Sequence, residues 1–247
     1  MKSILALVIG LAIISNAFTQ DYTFDLEGIS KVMIDADNSI KLLAHDHNHF
    51  LIREIENEQH KSPTSAEGLK NANGKGRDNT GFGVEIRIDS DRLYVTSLHE
   101  ELANELVIYL PRSLNITISS LMRSTISIEG FGGEIVARNY KGDISMKNVT
   151  GPIVAQNENG DVIIQFGALS QVSPSSIVME NGDVDITFPK STRVTIESKL
   201  RFGKLYSNFD LGDKSKNRSR TTALNGGGTQ LFLQSIAGDI RLREADK

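Results

Sequence analysis

The chain has 247 residues and a mass of 27.1 kDa, with no Cys and no Trp; Lys and Arg number 27 against 31 Asp and Glu, for a net charge of −4. The missing Cys excludes disulfides, thiolate metal centres, a Cys nucleophile and a lipid-modified N-terminal Cys, and the mild, dispersed acidity argues against a basic nucleic-acid footprint. A 39% hydrophobic content with 21 Gly fits a folded chain with many turns rather than a disordered one.

The first segment reads as an export leader. Lys2 precedes an apolar run from Ile4 to Ile14 that is too short to span a bilayer, and Ser15-Asn16-Ala17 supplies the small residues of a signal-peptidase site. Cleavage is expected after Ala17, with Thr19 as the second choice, which assigns 1–17 to a signal peptide and 20–247 to one β-strand-repeat domain. No later stretch has the length and apolarity of a transmembrane helix, so the mature chain is expected to be exported and either soluble or peripherally attached.

Next comes a series of strands with period-two alternation: Ile29 to Ile34, Ser39 to Ala44, Phe50 to Glu56, Val84 to Ile88, Arg92 to Ser97, Leu106 to Leu110 (stopped by Pro111) and Asn115 to Ser119. Between Gln59 and Gly83 lies a long polar loop with five Gly. His99 to Glu105 has room for a short helix. His45-Asp46-His47-Asn48-His49 admits two readings. On a strand, His45, His47 and His49 would share a face and could reach a metal ion; alternatively the segment is the polar tip of a hairpin between two apolar runs.

From about residue 126 to 243 one phrase dominates, Gly-x-(Ile, Val or Leu). It begins at Gly133, Gly142, Gly151, Gly160, Gly182, Gly203 and Gly238; the first four stand nine residues apart, and the next two intervals are 22 and 21. Asp143, Asp161, Asp183 and Asp239 follow four of these glycines. The residues after each Gly alternate, as in Val162-Ile163-Ile164-Gln165-Phe166, which is the pattern of a half-buried strand. Gly suits such corners by tolerating positive φ, and Asp can bond turn amides. Two nine-residue units make a coil of about 18 to 22 residues, within the range of solenoid repeats. The expected fold is therefore an all-β, single-domain β-solenoid of short strands with Gly-Asp corners; the alternative is an antiparallel β-sandwich, since Asn-Gly also favours hairpins. Equivalent apolar positions in each unit and uniform strand length favour the solenoid.

A second insertion, Leu211 to Gly228, carries Lys214, Lys216, Arg218 and Arg220, a basic run that fits a solvated loop or a contact for anionic glycans or lipid headgroups. It ends in Asn225-Gly226-Gly227-Gly228, which lacks the Lys-Ser/Thr of a phosphate loop and reads as a flexible turn.

The Gly-Asp-Ile/Val ladder, Tyr206-Ser207-Asn208-Phe209-Asp210, and Leu224-Asn225-Gly226-Gly227-Gly228 before Gly238-Asp239-Ile240 resemble the "putative adhesin" family of exported β-strand-repeat proteins. Ala66-Glu67-Gly68-Leu69-Lys70 and Asp78-Asn79-Thr80-Gly81 resemble its Bacteroidetes-type members. The likeness covers about Phe24 to Arg243. It implies a cell-envelope or secreted β-solenoid and carries no catalytic motif. The chain departs from the pattern at Gly151-Pro152 and at Phe202-Gly203-Lys204.

The Asp ladder could bind calcium, but repetition at each corner suggests a shared structural duty, and the Gly-Gly-x-Gly-x-Asp nonapeptide of calcium-loaded solenoids is missing. There is no Gly-x-Ser-x-Gly elbow. The expected role is non-enzymatic and cofactor-free: an adhesin-like or structural envelope protein, in the periplasm, cell envelope or extracellular space. Its partner would be a protein or glycan of the envelope or surface, not nucleic acid. Lys147, Gln156, Gln165, Asp185, Thr187, Thr195 and Glu197 would form the exposed polar surface. The alternatives are a carbohydrate-active β-helix enzyme, disfavoured by the scarcity of aromatics, and a metal-binding envelope accessory protein.

Overall fold

Alternating side chains with β-branched bias give strands throughout. The computed structural model describes residues 21–36, 38–53, 76–98, 105–170, 172–212 and 218–245, and no helix occurs among them. The expected leader, 1–17, lies outside the described residues, as do 99–104 of the expected short helix and 59–75 of the long loop. The strands are β1 (Asp21–Asp25), β2 (Lys31–Asp35), β3 (Ile40–His45), β4 (His49–Arg53), β5 (Val84–Asp89), β6 (Arg92–Ser97), β7 (Leu106–Pro111), β8 (Asn115–Arg123), β9 (Ile126–Glu129) and β10 (Ile135–Lys141). They continue as β11 (Ile144–Val149), β12 (Ile153–Asn159), β13 (Val162–Phe166), β14 (Ser175–Asn181), β15 (Val184–Phe188), β16 (Val194–Phe202), β17 (Leu205–Ser207), β18 (Ser219–Leu224), β19 (Thr229–Ala237) and β20 (Ile240–Glu244).

The strands form two mixed ten-stranded sheets, neither closed into a barrel. Sheet A has the order β1-β4-β7-β3-β9-β11-β13-β15-β20-β17, and sheet B the order β18-β16-β19-β14-β12-β10-β8-β2-β6-β5. From β8 to β17 the chain alternates between the sheets, so a strand of sheet B and the sheet A strand after it make one rung. Successive rungs pair in parallel and in register: Ile135 beside Ile153, Ile144 beside Val162, Val162 beside Val184. Like residues therefore stack in columns. Ile126, Ile144, Val162, Val184 and Ile240 line one column of sheet A, and Ile116, Ile135 and Ile153 line one of sheet B; all are fully buried. The inner faces of both sheets merge into a single hydrophobic cluster. Burying each such side chain contributes about 1.5–3 kcal/mol relative to exposure, and no rung can bury its open side without a neighbour.

Spatial order departs from chain order at both ends. The rung β2/β3 sits between β6/β7 and β8/β9. The rung β19/β20 sits between β14/β15 and β16/β17, so the last strands of the chain lie inside the sheets. Antiparallel pairing is confined to the sheet ends: β1 with β4, β4 with β7, β5 with β6, and β18 with β16.

Several sequence expectations need correction. Strand length is not uniform: β17 has three residues, whereas β8, β16 and β19 have nine. The segment His45 to His49 is not a hairpin tip, because β7 lies between β3 and β4. The insertion from Leu211 is not all loop: β18 within it covers the flank of β16. Nor is Asn225-Gly226-Gly227-Gly228 loosely held. Asn225, at φ 50°, donates its side-chain amide to the carbonyls of Lys190 and Thr192, both at 2.8 Å.

Candidate functional site

The seven recurring glycines occupy two different corners. Gly133 and Gly151 lead into sheet B, while Gly142, Gly160, Gly182, Gly238 and Gly203 lead into sheet A. A nine-residue interval thus measures half a rung. At the sheet B corner the backbones approach so closely that a Cβ on Gly151 would lie 1.9 Å from the Gly133 carbonyl oxygen. Pro152 fits there because its carbonyl is the group in use, accepting the amide of Ile135.

At the sheet A corner the aspartates form a ladder from rung to rung. Asp143 Oδ1 accepts the amide of Asp161 at 2.8 Å, Asp161 Oδ1 that of Asp183 at 2.9 Å, Asp183 Oδ1 that of Asp239 at 2.7 Å, and Asp239 Oδ1 that of Lys204 at 2.9 Å. The ladder follows spatial order, not chain order. Lys204 belongs to the outermost rung, where no further amide awaits an acceptor. The departures at Pro152 and Lys204 therefore have positional causes. Charge-assisted bonds of this kind are stronger than neutral ones. Asp183 also pairs with Arg241 at 2.7 Å, and Asp185 with Arg243 at 2.8 Å.

The structure brings the three histidines together, through a bend rather than a strand face. Ring centroids are 5.6 Å apart for His45 and His47, 4.7 Å for His45 and His49, and 5.5 Å for His47 and His49. His45 is already committed: its Nδ1 accepts the His47 amide at 3.2 Å, and its Nε2 lies 3.0 Å from the His49 carbonyl oxygen, so Nε2 carries the proton. Burial and then the neighbouring His49 lower its pKa, against an opposing pull from the His49 carbonyl. Among the described residues, no three His, Cys, Asp or Glu side chains are placed to hold a metal ion.

His49 also borders an open cleft of about 590 Å³, lined with Asp21, Thr23, Phe24, Asp25, Leu51 and Arg53. Its one strong polar pairing is internal, Arg53 forking onto Asp21 at 3.1 and 3.0 Å.

The polar residues expected to form one surface divide between two. Lys147, Gln165, Asp185 and Thr187 project from sheet A, and Gln156, Thr195 and Glu197 from sheet B. The described end of the long loop is tightly built. Burial pushes the Asp78 carboxyl up, but the amides of Thr80, Gly83 and Gly81 and the Thr80 hydroxyl outweigh it and hold it below the usual range. Asn79 then exchanges two 2.8 Å hydrogen bonds with the backbone of Ile86, occupying the edge of β5 as an extra strand residue would.

One cluster was not foreseen. Phe202, 58% exposed, is flanked by two guanidiniums, Arg201 Cζ at 5.4 Å and Arg218 Cζ at 5.8 Å from its ring centroid. The signal was present in the sequence. The residues before the five sheet A corner glycines are Lys141, Asn159, Asn181, Phe202 and Ala237, and only Phe202 is aromatic.

No helix among the described residues is long and apolar enough to cross a membrane. No protein-family profile matches the chain, and no curated protein does. Among solved structures, a "putative cell adhesion protein" from Clostridium sporogenes is similar at 12% identity and a TM-score of 0.44, covering 92% of this chain and 100% of that one.

Proposed function

We propose that the chain is an exported, non-enzymatic two-sheet β-solenoid that serves as a rigid, adhesin-like scaffold in the cell envelope or at the cell surface. The observation that carries this reading is the aspartate ladder. Each of the repeated carboxylates gives its Oδ1 to the amide of the next rung, a shared structural duty that supports the scaffold reading. The in-register parallel stacking supports the solenoid architecture, since each rung adds the same outward positions and so builds two long faces of repeated, individually weak contact points. The Lys2-to-Ala17 leader supports export.

The test is to express the full chain with a C-terminal tag, fractionate the cells, and measure the intact mass of the product. Recovery in the envelope or medium with cleavage after Ala17 or Thr19 is expected; a full-length cytoplasmic product would refute export. The purified mature chain should bind intact cells or envelope fragments saturably. It should release no reducing or unsaturated ends from polysaccharides; turnover in that assay would favour a carbohydrate-active enzyme instead.

A further inference from the structure

We infer that the Arg201–Phe202–Arg218 cluster is a binding site for an acidic saccharide, a uronate or a sulfated sugar. This deepens the adhesin-like reading by naming a ligand class, and it rests on that reading.

Charge is segregated along the stack of rungs. Residues 190–247 contain twelve of the 27 Lys and Arg but six of the 31 Asp and Glu. The described ones among them, nine Lys and Arg against four Asp and Glu, lie in or beside β16, β17, β18, β19 and β20, which form one end of both sheets. An acidic chain overall therefore ends in a basic cap, which attracts anions and repels them from the rest of the molecule.

Within that cap, Phe202 is the last member of the column at the corner. Its in-register neighbour is Ala237, whose side chain stops at Cβ, so the ring stands out beside a low step. Arg201 and Arg218 lie against the ring, and neither has a carboxylate within ion-pair distance among the described residues. Arg241 and Arg243, by contrast, are both held by aspartates. An aromatic face suits the C–H face of a sugar ring, and guanidinium forks suit a carboxylate or sulfate.

The site has a boundary. Two strands inward from Phe202, the same corner column carries Asn181, and the preceding residue is Glu180, whose charge opposes an anion spreading over sheet B. The ligand is therefore placed at the end of the stack, not along its length. Phosphate and anionic lipid headgroups share the negative charge but offer no sugar face for Phe202.

Calorimetric titration of the mature chain with trigalacturonate, maltotriose, inorganic phosphate and phosphatidylglycerol vesicles tests the assignment. Trigalacturonate should bind and maltotriose should not. R201Q/R218Q should weaken binding about tenfold or more, and F202A, which leaves net charge unchanged, also about tenfold, while F202Y retains it. R87Q/R92Q, at the opposite end, should bind as wild type does, and matching thermal melts exclude unfolding as the cause. Absence of trigalacturonate binding, indifference to F202A, an equal loss in R87Q/R92Q, or equal binding of phosphate or vesicles with the same variant dependence would overturn it. If saturable envelope binding by the wild-type chain survives such a failure, the scaffold reading stands without this site.

Discussion

Asp183 Oδ1 accepts the backbone amide of Asp239 at 2.7 Å, and its Oδ2 takes Arg241 at 2.7 Å, although 56 and 58 residues of chain separate these partners. One carboxylate thus clamps the C-terminal rung to the rung beneath it. The Asp239 amide, then Arg241, lower the Asp183 pKa against a smaller opposing effect of burial. A depressed carboxylate stabilises the fold above its unfolded pKa, near about 3.9, and that stability is lost as pH falls through the folded value. D183N should therefore melt below wild type at neutral pH, by about 1 kcal/mol given its partial exposure. The two melting temperatures should converge in strong acid; a constant gap in calorimetry would contradict the assignment.

Gly182 and Gly226 offer a matched comparison. Gly182 has φ 144°, and a Cβ there would stand 2.0 Å from the Gly160 carbonyl oxygen; Gly226 has φ 83° with open space around it. G226A should cost about 1 kcal/mol, the strain of a left-handed alanine. G182A adds a backbone collision inside the stack and should cost about 3 kcal/mol or more. Urea unfolding midpoints would rank the pair.

His45 carries a pH response of opposite chemistry and the same direction. Its lowered pKa means that the unfolded chain takes up a proton first. Stability from this group is complete above the unfolded value of about 6.5 and falls as pH drops below it. The melting temperature should decline as pH falls below about 6.5, and H45Q should flatten that decline. NMR should find the His45 proton on Nε2 at neutral pH.

Because β19/β20 fills a gap between rungs that precede it in the chain, truncation after Leu224 should do more than fray an end. It removes both parallel neighbours of the β16/β17 rung and leaves β14 and β15 uncovered. The truncated chain should lose cooperative melting, or pair β16 with β14 in a non-native order detectable as altered amide-exchange protection. Native protection in β14 and β15 would contradict this account.

Much of the fold was legible because a corner glycine and the alternation after it report on local geometry. Val162-Ile163-Ile164-Gln165-Phe166 can bury only one face, and Arg92 to Ser97 is a strand with the expected bounds. The order of rungs was not legible, because every rung offers the same columns of Ile, Val and Leu to either neighbour. Lys204 is the exception. A ladder whose members each accept one amide must end in a residue that accepts none, so a Lys at 204, but not at 239, marks the β16/β17 rung as outermost. The histidine cluster was legible only as composition, since the bend that gathers the rings depends on β7 entering between β3 and β4. The Phe202 cluster was missed because Arg218 reaches it from β18's approach, a strand that reads as loop.

The placement of β20 also decides how the molecule would respond to tension. It is flanked on both sides, by β15 and β17, and β19 likewise by β14 and β16. A pull at Glu244 would load parallel hydrogen-bond ladders on two flanks in shear, so many bonds must fail together. A pull on an outermost strand such as β18 would instead unzip one row, bond after bond. A load applied through β20 would thus be met in shear, and one applied through β18 by unzipping.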